Sequence, residues 1–169
     1  MSICIDGIII RSINDGEDTF GHMIVEHNGK VCSCGNSGCI EGYSSIDSIL
    51  KKINLKLKYN KLISEKNYRE RLKEELQNND MVIEVVNKGT AIIGIGLSNL
   101  VRLLNSEIVI LSGPLIMNFE HYYEKSIEIF RSINPIDNRV TFSKGGRFLE
   151  DAIALGAAAM VMEGYLKSI

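Results

Sequence analysis

"GHMIVEHNGKVCSCGNSGCIEG", residues 21–42, gathers three of the chain's four cysteines with His22 in one glycine-punctuated segment. Cys32 and Cys34 flank a single serine, Cys39 follows five residues later, and His22 precedes Cys32 by ten. Together they make a potential Cys3His set. Zinc takes four tetrahedral nitrogen and sulfur ligands, and a site drawing all four from protein is closed and structural. Gly35 and Gly38 let the backbone curl so that neighbouring thiolates can face one ion. A redox pair would more often read C-x-x-C, and a Cys32–Cys34 disulfide would close a strained ring. Inert reduced cysteines remain the plain alternative. Cys4, outside the segment, is expected to be a small buried hydrophobe.

The rest of the composition is that of an ordinary globular domain. The chain has 169 residues, 45% hydrophobic and 24% charged, with a net charge of -2. That length suits one domain able to bury a core without a metal. The charge balance gives no basic footprint for nucleic acid, so no direct nucleic-acid contact is expected. No run of apolar residues approaches the ~20 of a membrane span, and no signal peptide opens the chain. Without such signals, and with too few cysteines for a disulfide scaffold, the expected compartment is the cytoplasm.

Hydrophobic periodicity divides residues 1–169, read as a single lobe, into three parts. Residues 1–45 read as hairpins plus the cysteine loop, with turns at Asp6-Gly7 and Asn28-Gly29. Residues 46–104 read as helical. Tyr43, Ile46, Ile49 and Leu50 share one face, and residues 55–80 form a charged, exposed, partly helical excursion carrying Leu72 and Leu76. Asp80 is positioned to cap a long helix reaching about Leu104. Its Gly89, Gly94 and Gly96 each cost about 1 kcal/mol against alanine and point to close helix packing. Residues 105–169 read as strand–helix–strand–helix: a buried strand at 107–111, a helix at 120–133 ended by Pro135, a strand at 139–142, and an apolar helix at 149–166. That last helix places Met160 and Met162 in the core or an interface. The order implies an α/β layer.

The stretch "GHM" followed by "CSCGNSGCIEGYSS" resembles the signature of the ROK family of repressors, open reading frames and sugar kinases, in which G-H precedes C-x-C-G-x-x-G-C-x-E-x-x-x-S. The segments "LSNLVRLLNSEIVILSGPL" and "DAIALGAAAMVME" are similar to later parts of the same family. The resemblance implies an actin-like, ribonuclease-H-like lobe equivalent to the second half of a typical member. It also implies zinc held by His22, Cys32, Cys34 and Cys39, with His22 and Glu41 touching a bound sugar. Where the family has G-E-x-G-H, this chain reads "GEDTFGH". Thr19 stands in place of a second sugar-binding glutamate, and Glu17 lies two residues too early to replace it.

No D-x-G-x-T phosphate loop occurs, and neither Asp6 nor Asp15 matches the family's catalytic aspartate. Phosphoryl transfer needs a base and a phosphate cradle as separate parts, so no catalytic residue is assigned and the chain alone is not expected to phosphorylate a sugar. Ser112-Gly113-Pro114 falls where family kinases approach the nucleotide. Three small residues would allow that approach, but Pro114 lacks the N–H that would bind phosphate, so ATP is not an expected ligand. The "SKGGRF" loop, with Lys144 and Arg147, is a weaker anion-binding motif. The preferred reading is the zinc-containing, sugar-sensing lobe of a transcriptional regulator, with a hexose-type sugar as ligand. The alternatives are half of a hexose kinase and a zinc-stabilised dimerisation module. A lobe lacking its partner exposes apolar surface, so a homodimer or larger assembly is expected.

Overall fold

The computed structural model describes residues 3–6, 8–10, 20–56, 63–64, 66–134, 139–146, 151, 155–156, 158–159 and 162. The short strands β1 (Ile3–Ile5) and β2 (Ile8–Ile10) open the chain. They pair antiparallel around Asp6, whose φ of 49° is the left-handed turn that the Asp-Gly dipeptide predicts. Helices α1 (Glu41–Ser44), α2 (Ile46–Lys56), α3 (Tyr68–Asn78) and α4 (Asp80–Leu104) follow. Strand β3 (Ile108–Leu111) then leads through α5 (Pro114–Asn118) and α6 (Glu120–Ile133) to β4 (Thr141–Lys144). β3 and β4 pair parallel, with Val109 opposite Phe142. A parallel pair needs a crossover of a dozen or more residues, and α5 and α6 supply it.

Helix α4 is the spine. Its Val82, Val85 and Val86 close a core with Ile49 and Ile53 of α2, Leu72 of α3, and Leu115 and Phe119. Leu97 and Val101, about three and four turns beyond Val86, build a second cluster with Val109 and Phe130. The Phe130 ring meets Phe142 edge-on, 4.9 Å between centroids. Three glycines let other elements close on this helix. A Cβ at Gly94 would sit 2.5 Å from Ile129 Cγ2, one at Gly96 would sit 2.4 Å from Ile40 Cδ1, and one at Gly89 would meet Ile49 at 3.2 Å. The interrupting glycines therefore mark packing, as their spacing predicts.

Several expectations need correction. Asn79, extended at φ -135°, is the N-cap of α4, and Asp80 is its first helical residue. The charged 55–80 excursion is not simply surface: Ile63, Tyr68 and Leu72 are buried. The strand at 108–111 is open on one side, since Val109 is buried while Ile108 and Ile110 are exposed. Cys4 is exposed, because β1 and β2 form a separate two-stranded sheet that no other described strand joins. Helix α5 was not anticipated, yet proline is favoured at a first helical position, where its missing N–H has no intrahelical partner to lose. Pro135 and most of 149–166 lie outside the described residues. Within that stretch Met162 is exposed and Met160 is not described.

Among the described residues, α4 is the one helix long and apolar enough to cross a membrane, although sequence reading finds no such run. In this fold 56% of its most apolar stretch is buried against the protein, which makes it a core helix.

The tightness at Gly94 gives a direct test. Gly94→Ala gains about 1 kcal/mol of helix propensity but drives a methyl into Ile129 and toward the Ser126 carbonyl at 3.0 Å. The expected result in urea denaturation is a net loss of about 1–3 kcal/mol. A stabilised variant would show that α4 and α6 are less closely packed.

Candidate metal centre

The chain reaches the cysteine cluster by doubling back twice. Gly29 N–H donates to the Glu26 carbonyl at 3.1 Å across the Asn28 turn, where φ is +54°. The expected hairpin about Asn28-Gly29 does not form as a simple pair of strands. Instead Met23–Val25 pairs with the returning segment after the cysteines: Val25 N–H donates to Gly38 O at 2.9 Å and Ile40 N–H to Met23 O at 3.1 Å, while Ile24 bridges Cys39. Glu41 N–H then donates to Gly21 O at 2.8 Å, which brings His22 beside Glu41. Inside the loop, Gly35 N–H donates to Cys32 O at 3.0 Å and Cys32 N–H to Asn36 O at 2.8 Å, turning the backbone round its own sulfurs.

Glycine is required at the pivot. Gly38 has φ +83°, and a Cβ there would stand 1.8 Å from the Glu26 carbonyl oxygen, a backbone atom that cannot swing away.

This path brings together the four predicted ligands. One atom from each of His22, Cys32, Cys34 and Cys39 lies within 4.8 Å of the others, a group that could hold a metal ion. His22 Nδ1 is 3.6 Å from Cys32 Sγ, and Cys34 Sγ is 3.7 Å from Cys39 Sγ. The sulfurs differ electrostatically. The backbone N–H of Cys34, with help from Ser33 and His22, lowers the Cys32 thiol to about 6. Burial, reinforced by the neighbouring Cys34 and Cys32 sulfurs, pushes Cys39 up to about 12. A buried thiolate beside two other sulfurs is disfavoured until a cation stands among them.

His22 also touches Glu41, with Nδ1 3.4 Å from Oε2, so one imidazole joins the cysteine cluster to a half-exposed carboxylate. These are two of the three expected sugar contacts; the third, Thr19, lies outside the described residues. Ser112, Gly113 and Pro114 lie elsewhere. They line a cleft of about 600 Å³ whose walls are chiefly apolar, including Ile46, Ile93 and Leu97, with Ser44 and Ser45 at its edge. Lys144, from the expected anion loop, is the last residue of β4 and is paired with Glu120, its ammonium 5.7 Å from the Tyr123 ring centroid. Arg147 lies outside the described residues.

Sequence reading missed the tie that docks this loop on α4. Lys88 Nζ is 3.0 Å from Glu26 Oε1 and 5.5 Å from the Tyr43 ring centroid. The Tyr43 hydroxyl bonds Glu26, lowering that carboxyl, and accepts the Lys30 N–H at 2.5 Å. Burial and the Glu26 carboxylate together raise Tyr43 itself. Glu26 and Lys88 are 62 residues apart, so no local spacing could have signalled the contact.

A parallel strand pair with a helical crossover, carrying a cysteine loop docked on its central helix, is an α/β lobe of recognisable class. Residues 1–163 match the model of the ROK family, and the chain belongs to that family. It is 27% identical over 175 residues to the xylose repressor of Bacillus subtilis (strain 168), covering 100% of this chain and 43% of that protein. It is 28% identical over 116 residues to the DNA-binding transcriptional repressor Mlc of Escherichia coli (strain K12), covering 65% of this chain and 28% of that one. The ROK family glucokinase from Streptomyces griseus, solved with glucose and AMPPNP, superposes with a TM-score of 0.74 at 20% identity, over 94% of this chain and 55% of the other. The last likeness establishes the fold as the actin-like, ribonuclease-H-like one. The chain spans less than half the length of these two repressors.

If the cluster holds a metal, Gly38→Ala should empty it without touching a ligand, because the added methyl forces the Glu26–Gly38 crossing apart. Elemental analysis should find the metal-to-protein ratio reduced by more than half. A fully loaded variant would contradict this geometry.

Proposed function

We propose that this chain is the zinc-containing, sugar-sensing lobe of a ROK-type transcriptional regulator. The observation that carries the reading is the shared imidazole: His22 Nδ1 lies 3.6 Å from Cys32 Sγ and 3.4 Å from Glu41 Oε2, so the cysteine cluster and the expected sugar carboxylate are one unit.

The donor set suits zinc. Tetrahedral bonds of about 2.3 Å to sulfur and about 2.0 Å to nitrogen imply sulfur–sulfur edges of about 3.8 Å and sulfur–nitrogen edges of about 3.5 Å. Two of the six edges, Cys34 Sγ to Cys39 Sγ and His22 Nδ1 to Cys32 Sγ, measure 3.7 and 3.6 Å. Zinc there supplies a crosslink that closes the loop and fixes the histidine tautomer. The protein's own part is to orient. Glu41 presents two acceptor oxygens, suited to adjacent hydroxyls on a sugar edge, and His22 and Thr19 add single hydrogen bonds.

Two features favour sensing over phosphoryl transfer. Pro114 withholds a phosphate-binding N–H at the strand end, and the surrounding cleft is apolar where a triphosphate would want donors. The repressors among the relatives agree with this reading. On this account a sugar shifts a conformational equilibrium that a separate DNA-binding segment reports, within a cytoplasmic homodimer or larger assembly. The exposed Ile108, Ile110 and Leu103 would contribute to that contact. Half of a sugar kinase is the second reading. The fold shared with the glucokinase favours it, and it would need a phosphate loop from elsewhere.

Calorimetric titration of the zinc-loaded protein with xylose, glucose, fructose and N-acetylglucosamine tests the proposal. One sugar should bind with unit stoichiometry. Glu41→Gln should weaken it by about tenfold or more, the worth of a hydrogen bond to a charged group, with zinc content unchanged. Absence of heat from every sugar would overturn the sensing role.

A further inference from the structure

We propose that Cys34 and Cys39 form an oxidative modification site, at which a hydroperoxide converts the two thiols into a disulfide and discharges the metal they share. The three cluster cysteines are not equivalent. Cys34 is exposed to solvent, whereas Cys32 is 6% and Cys39 0% exposed. A dissolved oxidant therefore meets Cys34 first, and the sulfur held 3.7 Å away is that of Cys39. That arrangement is an attacked cysteine with a resolving cysteine behind it. The remaining approach, to a bond of about 2.05 Å, falls on a loop whose Gly35 and Gly38 both have positive φ, at +89° and +83°. Cys32 is the poorer partner: only Ser33 separates it from Cys34, and its sulfur faces His22 Nδ1 at 3.6 Å.

The chemistry balances with hydrogen peroxide as the two-electron oxidant. The Cys34 thiol attacks one peroxide oxygen, the O–O bond breaks, and sulfenic acid and water result. The Cys39 thiol then attacks the sulfenic sulfur and expels a second water. Starting from metal-bound thiolates, two protons from solvent complete the waters, and the dication leaves because two of its four ligands are gone. The disulfide step stands on the sulfur geometry alone. The metal-release step rests on the zinc reading above, and the two are separable by experiment.

The zinc-loaded full chain is treated with stoichiometric hydrogen peroxide in the presence of a chromogenic zinc indicator, then mapped by non-reducing peptide mass spectrometry. The expected product is one crosslink joining residues 34 and 39, lighter by two hydrogen atoms. Zinc release should match it in extent, and dithiothreitol with added zinc should reverse both. A 34–39 crosslink in a chain that never held zinc would uphold the oxidation and sink the zinc reading. The proposal is overturned by a crosslink to Cys32 or through the other exposed thiol, Cys4, by Cys34 passing to sulfinic acid uncrosslinked, or by zinc staying bound after the crosslink has formed.

Discussion

Three sulfur atoms and a ring nitrogen share a space no more than 4.8 Å across, and that crowding governs the rest of the structure. Without a cation Cys39 stays a protonated thiol, since it is fully buried and its thiolate is opposed both by desolvation and by its neighbours. With a dication the same crowding becomes four bonds. The backbone is committed to the geometry in either case. Gly38 N–H donates to Lys30 O at 2.8 Å, Val25 N–H donates to Gly38 O, and no side chain fits at Gly38 itself. The crossing that positions Cys39 also sets Ile40 against Gly96 and begins α1 at Glu41.

The platform beneath the loop is α4, whose apolar residues build both cores and whose glycines let its neighbours approach. Tyr122 on α6 ties the two sides together. Its buried hydroxyl donates to the Ser44 carbonyl at 3.0 Å, joining the end of α1 to α6 beside Gly89 of α4. At the far end Asn134 plays a similar part, accepting from Arg102 Nε at 2.7 Å and donating to Phe130 O at 2.9 Å. The candidate site thus sits on a packed helical support, with its charged tie, Lys88 to Glu26, half-exposed.

Features set by local chemistry were legible in the sequence. The α4 boundary at Leu104, the whole of α6, the Asp6 turn and the gathering of His22 with three cysteines follow from periodicity, turn residues and spacing. What stayed hidden was set by distant partners. Periodicity could not reveal that Met23–Val25 would pair with Gly38–Ile40 across the loop rather than with the nearer Lys30–Cys32. Charge content disguised Ile63 and Tyr68, because a few buried apolar residues among lysines and glutamates leave the average polar while closing a core. An apolar run at 107–111 reads as buried on both faces, but burial depends on what covers it, and Ile108 and Ile110 remain open. At the site, His22 and the cysteines were readable, whereas the Tyr43–Glu26–Lys88 tie needed the fold.

Family membership narrows the chemistry without choosing the role, since the same lobe serves repressors and kinases. The proposed sensing role turns on small features: a threonine where the family usually has a carboxylate, a proline in the Ser112–Pro114 loop, and a histidine close to both a sulfur and a carboxylate. The last of these depends on whether a metal holds the loop closed. X-ray absorption at the zinc edge of the purified protein addresses that most directly. The account predicts a first coordination shell of three sulfurs and one imidazole nitrogen, at about 2.3 and about 2.0 Å. A shell of oxygen and nitrogen alone, or no bound zinc, would contradict it.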